Sequence, residues 1–163
     1  LLQPREGIVF TPTRGELEAT LACDAGLLRV AIENLLRNAV KYSFSTGGPS
    51  CIDTTIRTLA DADLSRFLEI DVTNVGSHIP APHQGAIFEP FTRYVDDGEA
   101  VARRGMGLGL YLASQIARGH QGTLKLTSHD PVGSSANGSR CFQTTFTLRV
   151  RADLGPGAYH VEL

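Results

Sequence analysis

The chain has 163 residues, 42% hydrophobic and 20% charged, with a formal net charge of −2, the profile of one globular domain long enough to bury a sizeable core. That charge gives no support to a nucleic-acid surface, which carries a clear basic excess, and no apolar run approaches the roughly 20 residues of a membrane span. The N-terminus lacks the basic-then-apolar pattern of a secretory signal, and the three cysteines, Cys23, Cys51 and Cys141, form no CxxC pair, so they read as buried free thiols in a reducing compartment.

A cytoplasmic domain is therefore expected, either free or as the cytosolic portion of a membrane-bound protein. Residues 5–10 and 15–22 each read as a short strand, split by a turn over Pro12–Gly15. Asp24 is a helix N-cap candidate. From Ala25 to Tyr42, Leu28, Ala31, Ile32, Leu35, Leu36 and Ala39 recur at helical spacing and predict one buried face. Residues 43–50 are a loop by composition. Residues 51–59 and 66–74 alternate as strands, joined by a hairpin connection at DADLS. The stretch Asn74–His78 reads as a polar turn. Residues 79–104 lack periodicity apart from the apolar knot IFEPF. A second helix is predicted over 108–118, with Leu112, Ala113, Ile116 and Ala117 inward and Gly119 as its stop. Residues 122–129 and 141–150 close the pattern as strands around the Gly/Ser-rich PVGSSANGS. The order β-β-α-β-β-loop-α-β-β is not a βαβ series. It predicts an α+β fold, a two-layer α/β sandwich with a mixed sheet covered on one face by helices.

Two places carry unusual polar chemistry. On the first helix, at about 100° per residue, Asn34, Asn38 and Lys41 fall within about 60° of one another, along the border of the apolar face. Buried polar groups need partners. An Asn carbonyl can ligate Mg²⁺, and a lysine can meet a phosphate as a point charge. The plain alternative is an ordinary polar helix surface. In RRGMGLGLYLASQIARGHQG, Gly105, Gly107 and Gly109 run straight into the second helix. Glycines there let backbone N–H groups approach a phosphate, and the helix dipole favours an anion. The spacing is neither the Rossmann GxGxxG nor a P-loop, which needs GK[ST]. A flexible loop would also explain glycines.

Together these segments resemble the sensor histidine kinases. ENLLRNAVKYS (33–43) is similar to their N box, NLLxNAxKY(S/T); IFEPFTR (87–93) to their F box; RGMGLGLYLASQIARGHQGTL to their G2 box and helix. DVTNVGSHIP (71–80) sits where the G1 box, usually DxGxGI, belongs. The four run in the family's order over roughly Asp24 to Leu148. The resemblance implies the ATP-binding catalytic domain of such a kinase, in the ATPase group of gyrase, Hsp90 and MutL, with the Bergerat-type fold. It implies a domain over 1–150, an ATP lid over about 80–104 and a tail over 151–163.

The resemblance implies roles residue by residue. Asn38 matches the Mg²⁺ ligand, and Asn34, one turn earlier, faces the phosphates. Lys41 and Tyr42 match phosphate and ribose contacts. Asn74 stands where the G1 aspartate meets the adenine amino group, followed by Gly76 and Ile79 at the same end of the nucleotide. His78 replaces a glycine. Phe88 and Phe91 match lid anchors, Arg93 approaches the phosphates, and Gly105, Gly107, Leu108 and Gly109 form the phosphate loop. In the gyrase-like relatives the position of Asn34 is a glutamate that activates water. An amide cannot act as that base, and Glu33 lies about 100° around the helix, so ATP should be held without ready hydrolysis and its γ-phosphoryl group transferred to protein.

Catalytic roles thus fall to Asn34, Asn38 and Lys41, with ATP and Mg²⁺ as cofactors. The acceptor is expected on a separate dimerisation and phosphoacceptor hairpin, in the same parent protein or another chain, with a response regulator served indirectly. Neither nucleic acid nor membrane insertion is expected. None of the five histidines suits the acceptor role: His129-Asp130 has the acidic neighbour but reads as a strand end, and His120 reads as structural. The competing readings are a degenerate docking module, favoured by the altered G1 box, and a serine kinase of the anti-sigma-factor type.

Overall fold

The computed structural model of the chain describes residues 8–11, 23–43, 50–93, 105–135, 138 and 140–153. Five strands, β1 (Ile8–Thr11), β2 (Ser50–Ala60), β3 (Arg66–Gly76), β4 (Thr123–Ser134) and β5 (Arg140–Arg151), form one sheet in the order β1-β2-β3-β5-β4. β1 runs parallel to β2 and every other pairing is antiparallel. The two helices, α1 (Ala25–Tyr42) and α2 (Gly109–Gly119), pack on each other; α1 also lies on β3 and α2 on β4 and β5. This is the expected α+β sandwich with a mixed sheet. The predicted strand over 15–22, the lid residues 94–104 and the tail beyond Asp153 lie outside the described residues. Among the described residues no helix is long and apolar enough to cross a membrane.

Each layer follows from its side-chain period. Along α1, Ala31, Leu35 and Ala39 are fully buried, with Leu28, Ile32 and Leu36 packed against them. The Asp24 carboxylate caps α1 by accepting from the Leu27 N–H at 2.9 Å. Along α2, Ala113, Ile116 and Ala117 turn inward. On β3, Leu68, Ile70 and Val72 alternate toward the helices, meeting Phe146, Leu148 and Val150 of β5. Each fully buried aliphatic side chain contributes about 1.5–3 kcal/mol. The opposite sheet face is polar. Arg57 pairs with Asp71 at 2.8 Å and with Glu69, Thr147 donates to Asp71, and Thr127 meets Thr147 at 2.7 Å, so one chain of contacts crosses β2, β3, β5 and β4.

His120 ties the helical layer together. Its Nε2 accepts the Asp24 N–H at 3.2 Å and its Nδ1 donates to the Ile116 carbonyl at 2.8 Å, while its own carbonyl accepts from the Arg151 N–H. The start of α1, the end of α2 and the end of β5 meet at this one buried ring, the structural role expected of it.

Four expectations are corrected. Asn74, Val75 and Gly76 are strand, not turn, because β5 pairs all three through Thr144, Gln143 and Phe142, and Ile52 of β2 also faces Asn74. The Gly/Ser-rich stretch after His129 continues β4 to Ser134. β4 is an edge strand with register shifts between Leu126 and Ser128 and between Pro131 and Gly133, the setting in which a sheet tolerates proline. β5 ends at Arg151, and Ala152, 5% exposed, donates its N–H to the Arg66 carbonyl, so the folded body passes residue 150. Of the cysteines only Cys141 is buried; Cys23 is half-buried and Cys51 exposed.

Candidate active site

A cavity of about 490 Å³ opens between α1, the end of β3, the loop before α2 and the segment after β3. From α1 come Asn34, Arg37, Asn38, Lys41 and Tyr42. They stand at i, i+3, i+4, i+7 and i+8, so one helical stripe builds this wall. Asn34 donates its amide N–H to the Val30 carbonyl at 2.9 Å. Asn38 makes no side-chain hydrogen bond among the described residues. Glu33 is exposed, reaches Arg37 at 3.7 Å and does not line the cavity.

The glycine loop closes on this stripe. A Cβ on Gly109 would sit 3.1 Å from the Asn34 amide oxygen, and one on Gly105 would sit 2.8 Å from the Lys41 ammonium. Gly107 has φ +74 and passes within 2.7 Å of the Thr92 carbonyl by the same measure, and its own carbonyl accepts the Phe91 N–H at 3.1 Å. Only glycine meets both demands. Leu108, at the N-cap of α2, supplies no side-chain cap, and the first turn holds no acid. The N–H groups and positive end of α2 therefore face the cavity, where an anion would satisfy them.

The far end is built by β3 and β5. Asn74 continues the inward phase of Leu68, Ile70 and Val72, yet it is an amide, 5% exposed. It makes no side-chain hydrogen bond among the described residues and lines the cavity beside Gly76 and Thr144. Its amide atoms are open to the cavity rather than sealed in the core, so a ligand entering there can bond them. Gly76 also bridges to Ser43 at the end of α1, which fixes the β3 wall against the α1 wall.

His129 sets this end. Its Nε2 accepts the Ile79 N–H at 2.9 Å, so the ring proton is on Nδ1, which donates to Thr144 Oγ1 at 2.9 Å. The Ile79 carbonyl accepts from Gln84 at 3.0 Å. His78, His129 and Phe142 stack with centroids 4.5 to 5.5 Å apart. Burial first, then the neighbouring His78, pushes the His129 pKa below its ordinary value, against a smaller opposite pull from Asp130.

Of the expected site residues, Asn34, Asn38, Lys41, Tyr42, Asn74, Gly76, Ile79, Arg93, Gly105, Gly107, Leu108 and Gly109 all line the one cavity. Phe91 does not. It is 71% exposed with φ 61, a turn position that aims its ring at solvent. Ile87 and Phe88 anchor this segment against the core, Phe88 edge-on to Phe146 at 6.1 Å. Sequence reasoning missed Arg37, Thr144 and His129. Arg37 was visible in the helical stripe. Thr144 and His129 depend on strand register.

Among the described residues the lining offers three cations, Arg37, Lys41 and Arg93, and no carboxylate. Among the described residues no group of three or more His, Cys, Asp or Glu could hold a metal. Such a wall suits a polyphosphate. The free Asn38 amide fits a hard cation delivered with it.

The profile describing histidine kinase-, DNA gyrase B- and HSP90-like ATPases matches residues 23–154. The sensor-like histidine kinase SenX3 of Mycolicibacterium smegmatis is 37% identical over 127 residues, covering 78% of this chain and 28% of SenX3. The adaptive-response sensory kinase SasA of Rippkaea orientalis is 35% identical over 131 residues, 80% of this chain and 29% of SasA. Among solved structures, the mycobacterial sensor histidine kinase MprB superposes with a TM-score of 0.62 at 24% identity, covering 91% of this chain and 84% of that one. The chain thus spans under a third of the length of these sequence relatives.

Proposed function

The chain belongs to the histidine kinase-, DNA gyrase B- and HSP90-like ATPases, as the ATP-binding catalytic domain of a sensor histidine kinase, and from that premise we propose how its cavity works. ATP lies with its base against Asn74 and its phosphates between Lys41 and the glycine loop. The γ-phosphoryl group passes to a histidine on a dimerisation hairpin of the parent protein or another chain, and from there to a response regulator.

The observation that carries this is the pair of amides, Asn38 and Asn74, without side-chain hydrogen bonds among the described residues, on two walls of a cavity whose described lining is cationic and holds no carboxylate. Asn38 would hold Mg²⁺ through its carbonyl oxygen, and the ion would neutralise charge gathering on the phosphate oxygens. Lys41 and the α2 N-terminus orient the anion. Asn34, its N–H spent on Val30, has no basic atom to offer water, so the bound nucleotide is preserved for transfer. The proposed lid, about 80–104, excludes water over the phosphates.

Calorimetry with a non-hydrolysable ATP analogue and Mg²⁺, on the wild type and Asn38→Ala, tests the reading. Saturable binding lost in the variant supports it. No heat and no thermal shift at millimolar nucleotide would sink it. Mixing the chain with the hairpin and labelled ATP then tests transfer.

A further inference from the structure

We propose that the base end of the cavity accepts 6-oxopurines as well as 6-aminopurines, so that guanine-type nucleotides bind beside ATP; this rests on the nucleotide-binding reading above. The determinant is Asn74. Its side chain is buried, lines the cavity and is held by no hydrogen bond among the described residues. An amide carries an acceptor and two donors, and rotating it half a turn exchanges them without changing its shape. Nothing on β3 or β5 pins one orientation.

Its neighbour is pinned. Thr144, 4% exposed, faces Asn74 across the β3–β5 ladder and lines the same cavity. Thr144 Oγ1 accepts the Nδ1 proton of His129, because the other ring nitrogen is occupied by the Ile79 N–H. Its own hydroxyl hydrogen and a second lone pair remain, so Thr144 can donate to a ligand or accept from it. The low proton affinity of His129 keeps that arrangement at neutral pH.

An amide free to turn beside a hydroxyl that can donate or accept matches both purine edges. Adenine presents an amino donor at C6 next to the N1 acceptor: the Asn74 oxygen takes the amino hydrogen and Thr144 donates to N1. A 6-oxopurine in the same pose presents the O6 acceptor next to N1–H: the turned Asn74 amide donates to O6, and the second lone pair of Thr144 Oγ1 takes the N1 hydrogen. Neither base leaves a polar group on this edge unpaired. A carboxylate at position 74 would leave only the acceptor half: its neighbouring oxygen would oppose O6, and the amide N–H that could turn toward a keto oxygen would be gone.

The test is calorimetry of the 163-residue chain with ADP and with IDP, which differs from ADP only at the 6-position and N1, on the wild type and on Asn74→Asp. Wild-type dissociation constants for ADP and IDP within about tenfold of each other are expected, since the two pairings differ by no more than one hydrogen bond. Asn74→Asp should widen the ratio to about a hundredfold or more in favour of ADP, as a site rejects a ligand that leaves its buried polar groups mismatched. Wild type binding ADP but not IDP would overturn the dual reading alone. A ratio unchanged in Asn74→Asp would remove Asn74 as its determinant and overturn it too. Binding of neither nucleotide would overturn the nucleotide site itself.

Discussion

Gly76 joins the two walls of the cavity, and replacing it is the sharpest test of that geometry. A Cβ on Gly76 would stand 2.3 Å from the Tyr42 carbonyl oxygen and 3.1 Å from Asn74 Nδ2. An unstrained contact needs about 3.5 Å, so Gly76→Ala must open the α1–β3 gap by about 1.2 Å. The obstacle is the backbone of the last turn of α1, which cannot rotate away, and Ser43 is bridged to Gly76 beside it. Overpacking costs typically about 1–3 kcal/mol, and a backbone-on-backbone clash belongs at the upper end, about 3 kcal/mol. With a urea m-value of about 1.5 kcal/mol/M, the midpoint should fall by about 2 M. Displacing the end of α1 also carries Lys41 and Tyr42 away from the glycine loop, so ADP binding should weaken as well. Gly85→Ala is the control: nothing lies within 4 Å of its added Cβ, and its change should stay within about 0.5 kcal/mol. Equal urea midpoints for the two variants would refute the account of how α1 is seated on β3.

Lys41→Met removes one cation facing the phosphates and should weaken ADP binding about tenfold or more, with a flatter salt dependence, by calorimetry at two ionic strengths. Because no carboxylate among the described residues lines the cavity, Mg²⁺ titrated into the chain alone should give no saturable heat, and should give it once ADP is present; strong binding to the free chain would contradict the assignment of Asn38. Asp24→Ala removes the α1 cap and should cost about 1 kcal/mol in urea unfolding, since the Asp24 backbone bond to His120 survives. His129 has a folded-state pKa below its ordinary value of 6.5, so the folded chain binds fewer protons than the unfolded one, and the stability this gives is present above about pH 6.5 and lost as pH falls through the lower folded value. Between pH 7.5 and 5.5, His129→Gln should therefore lose less urea stability than the wild type; parallel losses would show that His129 stays neutral for some other reason or does not matter.

Local patterns in the sequence carried α1 almost to the residue, because a helix face repeats within four residues and Asp24 caps its own third neighbour. The same locality hid the end of β3. Asn, Gly, Ser and His close together have the composition of a turn, but β5 pairs with this segment and extends it as strand through Gly76. His129 was hidden more deeply. Its bond to Ile79 spans 50 residues and its bond to Thr144 crosses a hairpin. The pairing of His129 with Thr144 follows the register shift between Leu126 and Ser128, and no short-range period encodes that shift. Phe91 was misplaced for the opposite reason: its motif is local, but its positive φ follows from the closure of Phe91 on Gly107.

The site uses the alternation of the core. Leu68, Ile70 and Val72 build the interior, and Asn74 occupies the next inward position, where a further apolar residue would have sealed the sheet. Two positions short of the strand end, the inward phase changes from core to ligand surface. The same economy governs α1, whose buried Ala31, Leu35 and Ala39 run beside the stripe of Asn34, Arg37, Asn38 and Lys41. Among the described residues the cavity wall so made supplies amides, cations, backbone N–H groups and one oriented hydroxyl, but no carboxylate. It can hold and orient a nucleotide. If the acceptor histidine arrives on another domain, as proposed, this wall contributes the positioned phosphoryl group and the incoming domain contributes the nucleophile.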